Sequence, residues 1–284
     1  MPLRSTPTAR QERLGAELRN MRESAGVTAR DTASLLGVDP AKVSHIEAGR
    51  LGVSEERLRR LATFYSCGDT ALVDALAAIT HEQRGQGWWE EYRGVLPAPL
   101  LDLSEVEHHC AYLNTVQITD VPGLPQTEEY ARAVFGHTIP RLPAAELDAR
   151  VEHRMARQRA FLERECPRYE AVLHEAALRM RLGGRRVLRA QLGRLLEHFD
   201  RPGVVIRVIP FTAETYTGAN RAMLYAGGPV PQLDTVQIEA AHGVAFLGSP
   251  AHLAKYRALF RDAGSAALGA TESRELIHDL AQAM

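Results

Sequence analysis

Hydrophobic residues recur at helical spacing through roughly the first eighty positions of the chain. Leu14, Leu18 and Met21 follow one another at intervals of four and three residues, which places them on one face of an amphipathic helix that ends near Gly26. The same spacing returns twice after Ser54, in two segments rich in leucine. The positions expected to face inward in these two segments are Leu58, Leu61, Ala62, Tyr65, Leu72, Val73, Leu76 and Ile79.

Capping and turn residues divide this part of the chain into short helices. Thr28 is a suitable N-cap for a second helix, because its hydroxyl can accept a hydrogen bond from a backbone N–H of the first turn. Gly37 ends that helix, since glycine adopts the left-handed conformation of a tight turn at little cost. Asp39 caps a third helix, and Pro40 occupies its first position, where the missing N–H is harmless. The pattern predicts a compact all-α domain of five helices at residues 9–83.

Glycines, prolines and aromatic residues then interrupt the periodicity, in the segment HEQRGQGWWEEYRGVLPAP. This segment is typical of a domain junction and places a second domain at residues 84–284. Trp88, Trp89 and Tyr92 either seal one core against another or form a ligand cage. The first interpretation is preferred, because bulky aromatic side chains at a junction usually bury apolar surface.

The second domain mixes helical and strand patterns. Helices are expected at about Leu103 to Gln117, after Thr127 and at about Ala144 to Cys166. Two more are expected near the end of the chain, at about 250–262 and 272–283. The candidate strands are YEAVLHEAAL, VVIRVIPF, AMLYAGG, DTVQIEA and VAFLG, with a helix, RVLRAQLGRLLEHF, after the first. The pattern predicts an α+β domain whose sheet of four or five strands is covered by helices.

The composition is that of an ordinary globular protein. Of the 284 residues 45% are hydrophobic and 24% are charged, which excludes wholesale disorder. No apolar run approaches the ~18 residues that span a bilayer, and the start of the chain lacks the apolar stretch of a secretory signal. We therefore expect a cytoplasmic protein with no membrane partner. Cys67, Cys110 and Cys166 are odd in number and far apart, so we expect free thiols.

Charge is distributed unevenly along the chain. The net charge is −1, but residues 1–66 contain 11 Lys and Arg against 8 Asp and Glu, a net of +3. This small positive charge is compatible with nucleic-acid binding, but it is not sufficient to predict it. The long helix of the second domain carries arginines interspersed with acids, and we expect them on a solvated face rather than in a second binding surface. They are Arg150, Arg154, Arg157, Arg159 and Arg164.

The sequence LRNMRESAGVTARDTASLLGVDPAKVSHIEAGR resembles helix-turn-helix repressors of the xenobiotic-response-element (XRE) type, over roughly residues 11–66. The resemblance implies a lambda-repressor-like fold whose third helix, from Asp39 to Ala48, is the recognition helix in the major groove of DNA. It implies that Val43 and Ile46 anchor this helix to the core. It also implies a structural ion pair between Arg22 and Glu47.

The same resemblance implies a set of residues that bind double-stranded DNA. We also expect a homodimer, because one recognition helix buries too little surface and dimers read two half-sites. Pro40 and Ala41 cannot make the bidentate hydrogen bonds that discriminate bases, although Ala41 could touch a thymine methyl, so DNA shape or cooperative binding would contribute to specificity. Ala29 stands where the family usually has Gln, and Arg30 could replace that phosphate contact. The expected set is Thr28, Arg30, Pro40, Ala41, Lys42, Ser44, His45 and Arg50.

The second domain resembles the C-terminal domain of actinobacterial XRE regulators of the WhiJ-like, antitoxin-like kind. The segments that carry the likeness are WWEEYRG, VPGLPQTEEYARA, RMARQRAFL, LHEAALRMRLGG, QLGRLL and VIRVIPF, with departures at Pro125 and His174. The resemblance implies control by a small partner protein from a neighbouring gene. Two alternatives remain: an antitoxin-like protein that mainly sequesters this partner, or direct sensing of a small molecule in a pocket lined by Tyr216, Asn220 and Trp88.

No pattern in the sequence indicates catalysis. The GxSxG elbow of serine hydrolases, the phosphate-binding P-loop and a GxGxxG that follows a strand are all missing. His108, His109 and Cys110 are adjacent, so on a helix they point in different directions and cannot hold one metal ion together. We therefore expect a non-enzymatic regulator with no metal and no cofactor.

Overall fold

The structure is a computed structural model, and it forms two compact units. One unit is residues 1–90 with 230–233, and the other is 91–229 with 234–284. The described residues are 6–82, 87–162, 164, 168–216, 222–240 and 243–284. The sequence pattern places the junction between residues 83 and 84, whereas the units divide after residue 90. Within the described residues, no helix combines the length and the hydropathy needed to cross a membrane.

Five α-helices form the first unit, and capping side chains set where they begin. The Thr28 hydroxyl accepts a hydrogen bond from the Asp31 N–H, and the Asp31 carboxylate accepts one from the Thr28 N–H, which is a complete capping box. Asp39, Ser54 and Asp69 cap the helices that follow them. The helices are α1 (Ala9–Ser24), α2 (Ala29–Leu36), α3 (Pro40–Glu47), α4 (Glu55–Phe64) and α5 (Thr70–His81).

The core of the first unit is built from the hydrophobic stripes of these helices. Leu18, Leu58 and Leu76 are at most 1% exposed, and they lie in one cluster with Ile46 of α3 and the inward residues of α5. Gly37 has φ 65°, in the left-handed region, and turns the chain between α2 and α3. The helical N-terminal region therefore has the predicted architecture, with the glycine turn at the predicted position.

The second unit contains a mixed sheet of six strands with helices around it. The sheet order is β3-β2-β1-β4-β5-β6, with β3, β2 and β1 parallel to one another and the remaining neighbours antiparallel. The strands are β1 (Tyr112–Gln117), β2 (Arg168–His174), β3 (Val204–Ile209), β4 (Met223–Gly227), β5 (Thr235–Ala240) and β6 (Gly243–Leu247).

Seven α-helices and two short 3-10 helices, at Trp88–Tyr92 and Pro231–Leu233, are described between residue 87 and the end of the chain. Thr127 caps the second of these α-helices, as its position before two glutamates predicts. The helices are α6 (Ala98–His109), α7 (Glu128–Gly136), α8 (Ala144–Leu162), α9 (Glu175–Arg179), α10 (Arg185–His198), α11 (Pro250–Ala266) and α12 (Ala270–Gln282).

The two faces of the sheet differ in chemistry. On one face Val116, Tyr225 and Val236 pack with Leu253 and Phe260 of α11 in an apolar core. The opposite face is more polar, and the strand register aligns Thr115 with Leu224 and Leu224 with Gln237 across β1, β4 and β5. Thr115 and Gln237 are 1% and 6% exposed, so this polar face is buried.

The expectation of four or five strands is wrong, because the sheet has a sixth strand, β1, at its centre. The pattern assigned residues 103–117 to one helix, but α6 ends at His109 and β1 begins three residues later. β1 reads YLNTVQ, so it has neither the alternation of a half-exposed strand nor the apolar run of a buried one. Residues 175–178, assigned to the end of a strand, belong to α9.

The expectation that the arginines of α8 form a solvated face is also wrong. Arg157 is 5% exposed, and Arg154 is only partly accessible. Arg150, Arg154 and Arg157 are spaced i, i+4 and i+7, so they share one face of the helix, whereas Arg159 is exposed. Arg164 lies beyond the helix and donates hydrogen bonds to the carbonyl oxygens of residues 107, 108 and 110.

The predicted free thiols are found at Cys67 and Cys110, while Cys166 lies outside the described residues. Burial raises the pKa of Cys110 to about 12, so this thiol is protonated at neutral pH. The Cys110 Sγ donates a hydrogen bond to the carbonyl oxygen of Glu107. A half-buried, protonated thiol with a backbone partner behaves as a packing residue.

Replacing His198 with leucine is expected to stabilise the protein at pH 7 by about 1 kcal/mol and to weaken its sensitivity to acid. The ring is 1% exposed, and neither ring nitrogen has a hydrogen-bond partner in the described part of the chain. Burial, followed by the charges of Arg194 and Arg201, lowers the pKa of His198 to about 4. Below pH 6.5 the His198 imidazole takes up a proton in the unfolded chain but stays neutral in the folded chain until about pH 4. This group therefore removes up to about 1.4 kcal/mol of stability per pH unit between pH 6.5 and 4.

Urea denaturation of wild type and His198→Leu at pH 7 and pH 5 measures both effects. The variant should lose less stability than wild type between the two pH values. The same substitution at the exposed His252 controls for the change of residue. Equal losses in wild type and His198→Leu would show that the buried ring is not a source of acid sensitivity.

Candidate nucleic-acid interface

α3 is held to its own unit by one side and exposes the other. Val43 and Ile46 are 2% and 6% exposed, and Ile46 belongs to the core cluster of the unit. At the start of the helix, the Asp39 Oδ1 accepts a hydrogen bond of 2.7 Å from the Ala41 N–H, and Pro40 occupies the first helical position. The core contacts and the cap together fix the rotation of α3 about its axis.

The outward side of α3 carries the residues that the resemblance assigns to DNA. Ala41, Ser44 and His45 are spaced i, i+3 and i+4, so they share one face. The Ser44 hydroxyl lies 3.5 Å from the Pro40 carbonyl oxygen within the helix. His45 is partly exposed, and the exposed members of the set are Pro40, Ala41, Lys42, Ser44 and Arg50. The helix thus presents small side chains flanked by basic ones.

The N-terminus of α2 carries the other two predicted DNA-binding residues, Thr28 and Arg30, and both are exposed. The Thr28 hydroxyl donates a hydrogen bond of 2.6 Å to Asp31, and the Thr28 N–H donates another to the same carboxylate. These bonds lower the pKa of Asp31, so its charge persists at neutral pH. Because the donors of Thr28 are engaged, Arg30 is the better candidate here for a phosphate contact.

Arg22 and Glu47 form a bidentate ion pair between α1 and the end of α3. The Arg22 Nε lies 2.6 Å from Glu47 Oε1, and Nη2 lies 2.9 Å from Oε2. The two side chains are 12% and 10% exposed. A third donor, Arg22 Nη1, reaches the Val27 carbonyl oxygen at 3.0 Å. The hydrogen bonds to Glu47 raise the pKa of Arg22 further, and the pair ties α3 to the helix behind it.

Two glycines allow α3 and the residues after it to approach α1 closely. A Cβ at Gly15 would lie 2.6 Å from the Glu47 carbonyl oxygen and 2.7 Å from that of Ile46. Gly49 has φ 69°, and a Cβ there would lie 2.7 Å from the Gln11 carbonyl oxygen. Both contacts are with backbone, which cannot rotate aside. The position of α3 therefore depends on the absence of side chains at these two points.

Comparison with protein families gives two matches. Residues 13–76 match a family model described as a helix-turn-helix domain. Residues 100–279, more than half of the chain, match the model described as a domain of unknown function, DUF5753. The chain belongs to the DUF5753 family. No curated protein and no solved structure matches it.

The helix-turn-helix match agrees with the architecture of α1 to α5, and it supports an XRE-like regulator that binds DNA and acts in transcription. The segment that the match covers includes α2, the Gly37 turn and α3, which are the elements of that motif. The DUF5753 match covers all six strands and names no activity. The second unit, residues 91–229 with 234–284, is called the DUF5753 unit below.

The aromatic residues predicted at a ligand or partner site make several ring contacts. The Trp88 and Trp89 rings lie edge to face at 5.9 Å, and Trp89 is 7% exposed. In the DUF5753 unit the Tyr92 ring packs on His153 at 4.9 Å, while Tyr216 stacks on His174. Asn220 lies outside the described residues.

The DUF5753 unit has a cavity of about 440 Å³ that the sequence reasoning missed. It lies between the polar face of the sheet and the helices α6, α7 and α8, and none of Trp88, Trp89, Tyr92 and Tyr216 lines it. The spacing of Arg150, Arg154 and Arg157 on one helix face is the feature of the sequence that could have indicated this cavity. In the described residues, no cluster of three or more His, Cys, Asp or Glu is placed to hold a metal ion.

Proposed function

We propose that this chain is a non-enzymatic transcription regulator that reads operator DNA through α3. The observation that carries the proposal is the division of α3 into an anchored side, with Val43 and Ile46 buried, and an outward side with Ala41, Lys42 and Ser44 exposed. A helix held in this way can enter a major groove without disturbing its own core. The regulator would be cytoplasmic and nucleoid-associated when bound.

Each outward residue has a role within the proposal. Ala41, Ser44 and His45 face the bases, where Ser44 can donate or accept a hydrogen bond and Ala41 can contact a thymine methyl. Lys42 and Arg50 neutralise phosphates, and Arg30 does so from the start of α2. With no Arg, Asn or Gln on the reading face, DNA shape contributes a large share of specificity.

The regulator would act as a homodimer. A single recognition helix that offers small side chains makes few base contacts, and each correct contact contributes only about 1 to 3 kcal/mol of discrimination. Two copies bound to half-sites about one helical turn apart double those contacts and match a palindromic operator. Sedimentation of the protein with and without operator DNA measures the stoichiometry of this assembly.

Replacing Lys42 and Arg50 with alanine is expected to weaken DNA binding and to flatten its dependence on salt. Each lost phosphate contact should lower the slope of log K against log salt by about 0.9. DNA affinity is measured by fluorescence anisotropy at salt concentrations from about 50 to about 300 mM. The DNA is a duplex selected in vitro from a random library. Arg59→Ala is the matched control, because Arg59 already forms ion pairs with Glu55 and Asp74.

The slope decides this test more firmly than the affinity does. A double variant whose slope equals that of wild type would show that Lys42 and Arg50 do not meet phosphates, and it would remove α3 from the DNA interface. A slope that changes equally in Arg59→Ala would point to general electrostatics of the unit.

We also propose that the DUF5753 unit controls DNA binding through a small partner protein from a neighbouring gene. The support for this part is the resemblance of segments such as WWEEYRG and VPGLPQTEEYARA to antitoxin-like regulators. Co-purification of the full chain with the product of the neighbouring gene tests it. A complex that still binds DNA with unchanged affinity would favour sequestration of the partner as the main task.

A further inference from the structure

The cavity of the DUF5753 unit is lined by polar side chains on the sheet side, where an ordinary protein core is apolar. Thr115, Gln117 and Gln237 line it from the sheet, and Leu103 and Phe135 line it from the helices above. The Thr115 hydroxyl is used within the sheet, since it donates a hydrogen bond of 2.8 Å to the Met223 carbonyl oxygen. The volume of about 440 Å³ lies within the range of small-molecule sites, which is roughly 300 to 1,000 Å³.

Three arginines of α8 line one wall, and two of them have a carboxylate partner. Arg150 Nη2 lies 2.7 Å from Glu146, and Arg157 Nε lies 2.9 Å from Glu107. Burial raises the pKa of Glu107, although the neighbouring arginines oppose that shift. The positive charges of Arg150 and Arg157 are therefore compensated by carboxylates of the protein.

Arg154, between the other two, has no such partner. Its Nη1 donates a hydrogen bond of 2.5 Å to the neutral amide oxygen of Gln126, and its guanidinium lies 4.5 Å from the Phe135 ring centroid. No carboxylate within ion-pair distance of Arg154 is found in the described part of the chain. Burial, followed by the charge of Arg157, lowers the pKa of Arg154 to about 9, although the charges of Glu239, Asp120 and Glu107 oppose that shift. Arg154 therefore stays charged at neutral pH, with acids nearby but, among the described residues, without a carboxylate at ion-pair distance. A charge enclosed in this way is stabilised by an anion.

Tyr169 contributes an unused hydroxyl to the same cavity. The residue lines the cavity from β2 and is 3% exposed. Its hydroxyl has no hydrogen-bond partner among the described residues. A buried hydroxyl without a partner costs stability, so structures retain few of them unless a ligand or water completes the bond.

The rim of the cavity has the opposite charge. Asp120 and Glu239 line it, and Glu239 is exposed. Burial, followed by the charge of Glu239, raises the pKa of Asp120, and the charge of Arg154 opposes that shift. A molecule that fills the cavity therefore meets a cation at the inner wall and hydrogen-bond acceptors at the rim.

We propose that this cavity binds a small polar metabolite whose carboxylate or phosphate group pairs with Arg154 and accepts a hydrogen bond from the Tyr169 hydroxyl. The hydrogen-bond donors at the other end of the molecule face Asp120 and Glu239. The body of the ligand lies on Gln117 and Gln237, between the sheet and Phe135. This site is separate from the DNA-binding residues and needs none of them.

The test uses the full chain and two simple anions, acetate and inorganic phosphate, as probes for the acidic group. Thermal unfolding is followed with each anion and with sodium chloride at the same ionic strength, because salts also act on stability without binding. At about ten times the dissociation constant, the melting temperature of the DUF5753 unit should rise by about 3 °C above the chloride value. The anion that gives the larger rise identifies the acidic group as carboxylate or phosphate.

Three variants locate the effect. Arg154→Gln should abolish the rise, whereas Arg159→Gln, which changes an exposed arginine of the same helix, should keep it. Tyr169→Phe removes only the unpaired hydroxyl, so it should keep or raise the melting temperature without anion and yet at least halve the rise. If Arg154→Gln does not fold, Tyr169→Phe decides alone.

Two results would overturn the proposal. One is a wild-type protein that responds to neither anion beyond chloride. The other is a rise that persists unchanged in Arg154→Gln or in Tyr169→Phe, since the anion would then bind elsewhere. Because no DNA is present in this assay, neither result bears on the proposed reading of operator DNA by α3.

Discussion

Replacing Glu47 with alanine is expected to destabilise the helix-turn-helix unit by about 2 to 3 kcal/mol and to abolish specific DNA binding. The substitution leaves the guanidinium of Arg22 nearly enclosed, with its two hydrogen bonds to Glu47 unmade. A charge left in that position costs more than the net contribution of the original pair. α3 also loses its only described ion pair with α1, so its position over the core becomes less well defined.

Urea denaturation, combined with hydrogen exchange of peptides from residues 9–81, measures the loss and locates it. Glu197→Ala is the matched control, because Glu197 forms an exposed ion pair with Arg194 and its loss should be much smaller. The double variant Arg22→Met with Glu47→Leu should recover much of the stability, since it leaves no unpaired charge. A Glu47→Ala protein as stable as wild type would show that the ion pair does not hold α3.

Replacing Gly15 with alanine is expected to cost about 2 kcal/mol, although alanine is normally the better helix former. The added methyl group would overlap the carbonyl oxygens of Ile46 and Glu47, and α3 would have to move away from α1. DNA affinity should fall together with stability, because the same movement tilts the outward face. Denaturation and anisotropy on one preparation measure both quantities.

Gly193→Ala is the control for this substitution. Gly193 also lies inside a helix, α10, but a Cβ there would meet nothing within 4 Å. The control should therefore stabilise the protein by roughly 0.5 to 1 kcal/mol. Opposite signs at the two glycines are the expected outcome, and a stabilising Gly15→Ala would contradict the close approach of α1 and α3.

Most of the first unit could be predicted from the sequence because its signals are local. Thr28, Gly37, Asp39 and Ser54 lie at the ends of the helices that they start or stop, so neighbouring residues were enough to locate the elements. The resemblance then assigned an outward side to α3, and the structure places those residues at the surface. Their contacts with DNA remain a prediction.

The second unit was harder to predict because its decisive contacts are not local. β1 is a strand because β2 and β4 pair with it, and those strands come roughly 50 and 110 residues later in the chain. Arg154 and Arg157 are covered by α6, α7 and the sheet. The residue pattern of α8 alone cannot predict that burial. The cavity follows from these long-range contacts, so the sequence alone pointed to aromatic residues that do not line it.

The separation of the two sides of α3 has an evolutionary consequence. Val43, Ile46 and Glu47 hold the scaffold, while Ala41 and Ser44 are exposed and lie outside the hydrophobic core cluster. Most substitutions at these two exposed positions are therefore expected to change folding stability little. Duplicated copies of such a gene can diverge in target while every copy keeps the same framework, which makes this surface a ready starting point for new recognition.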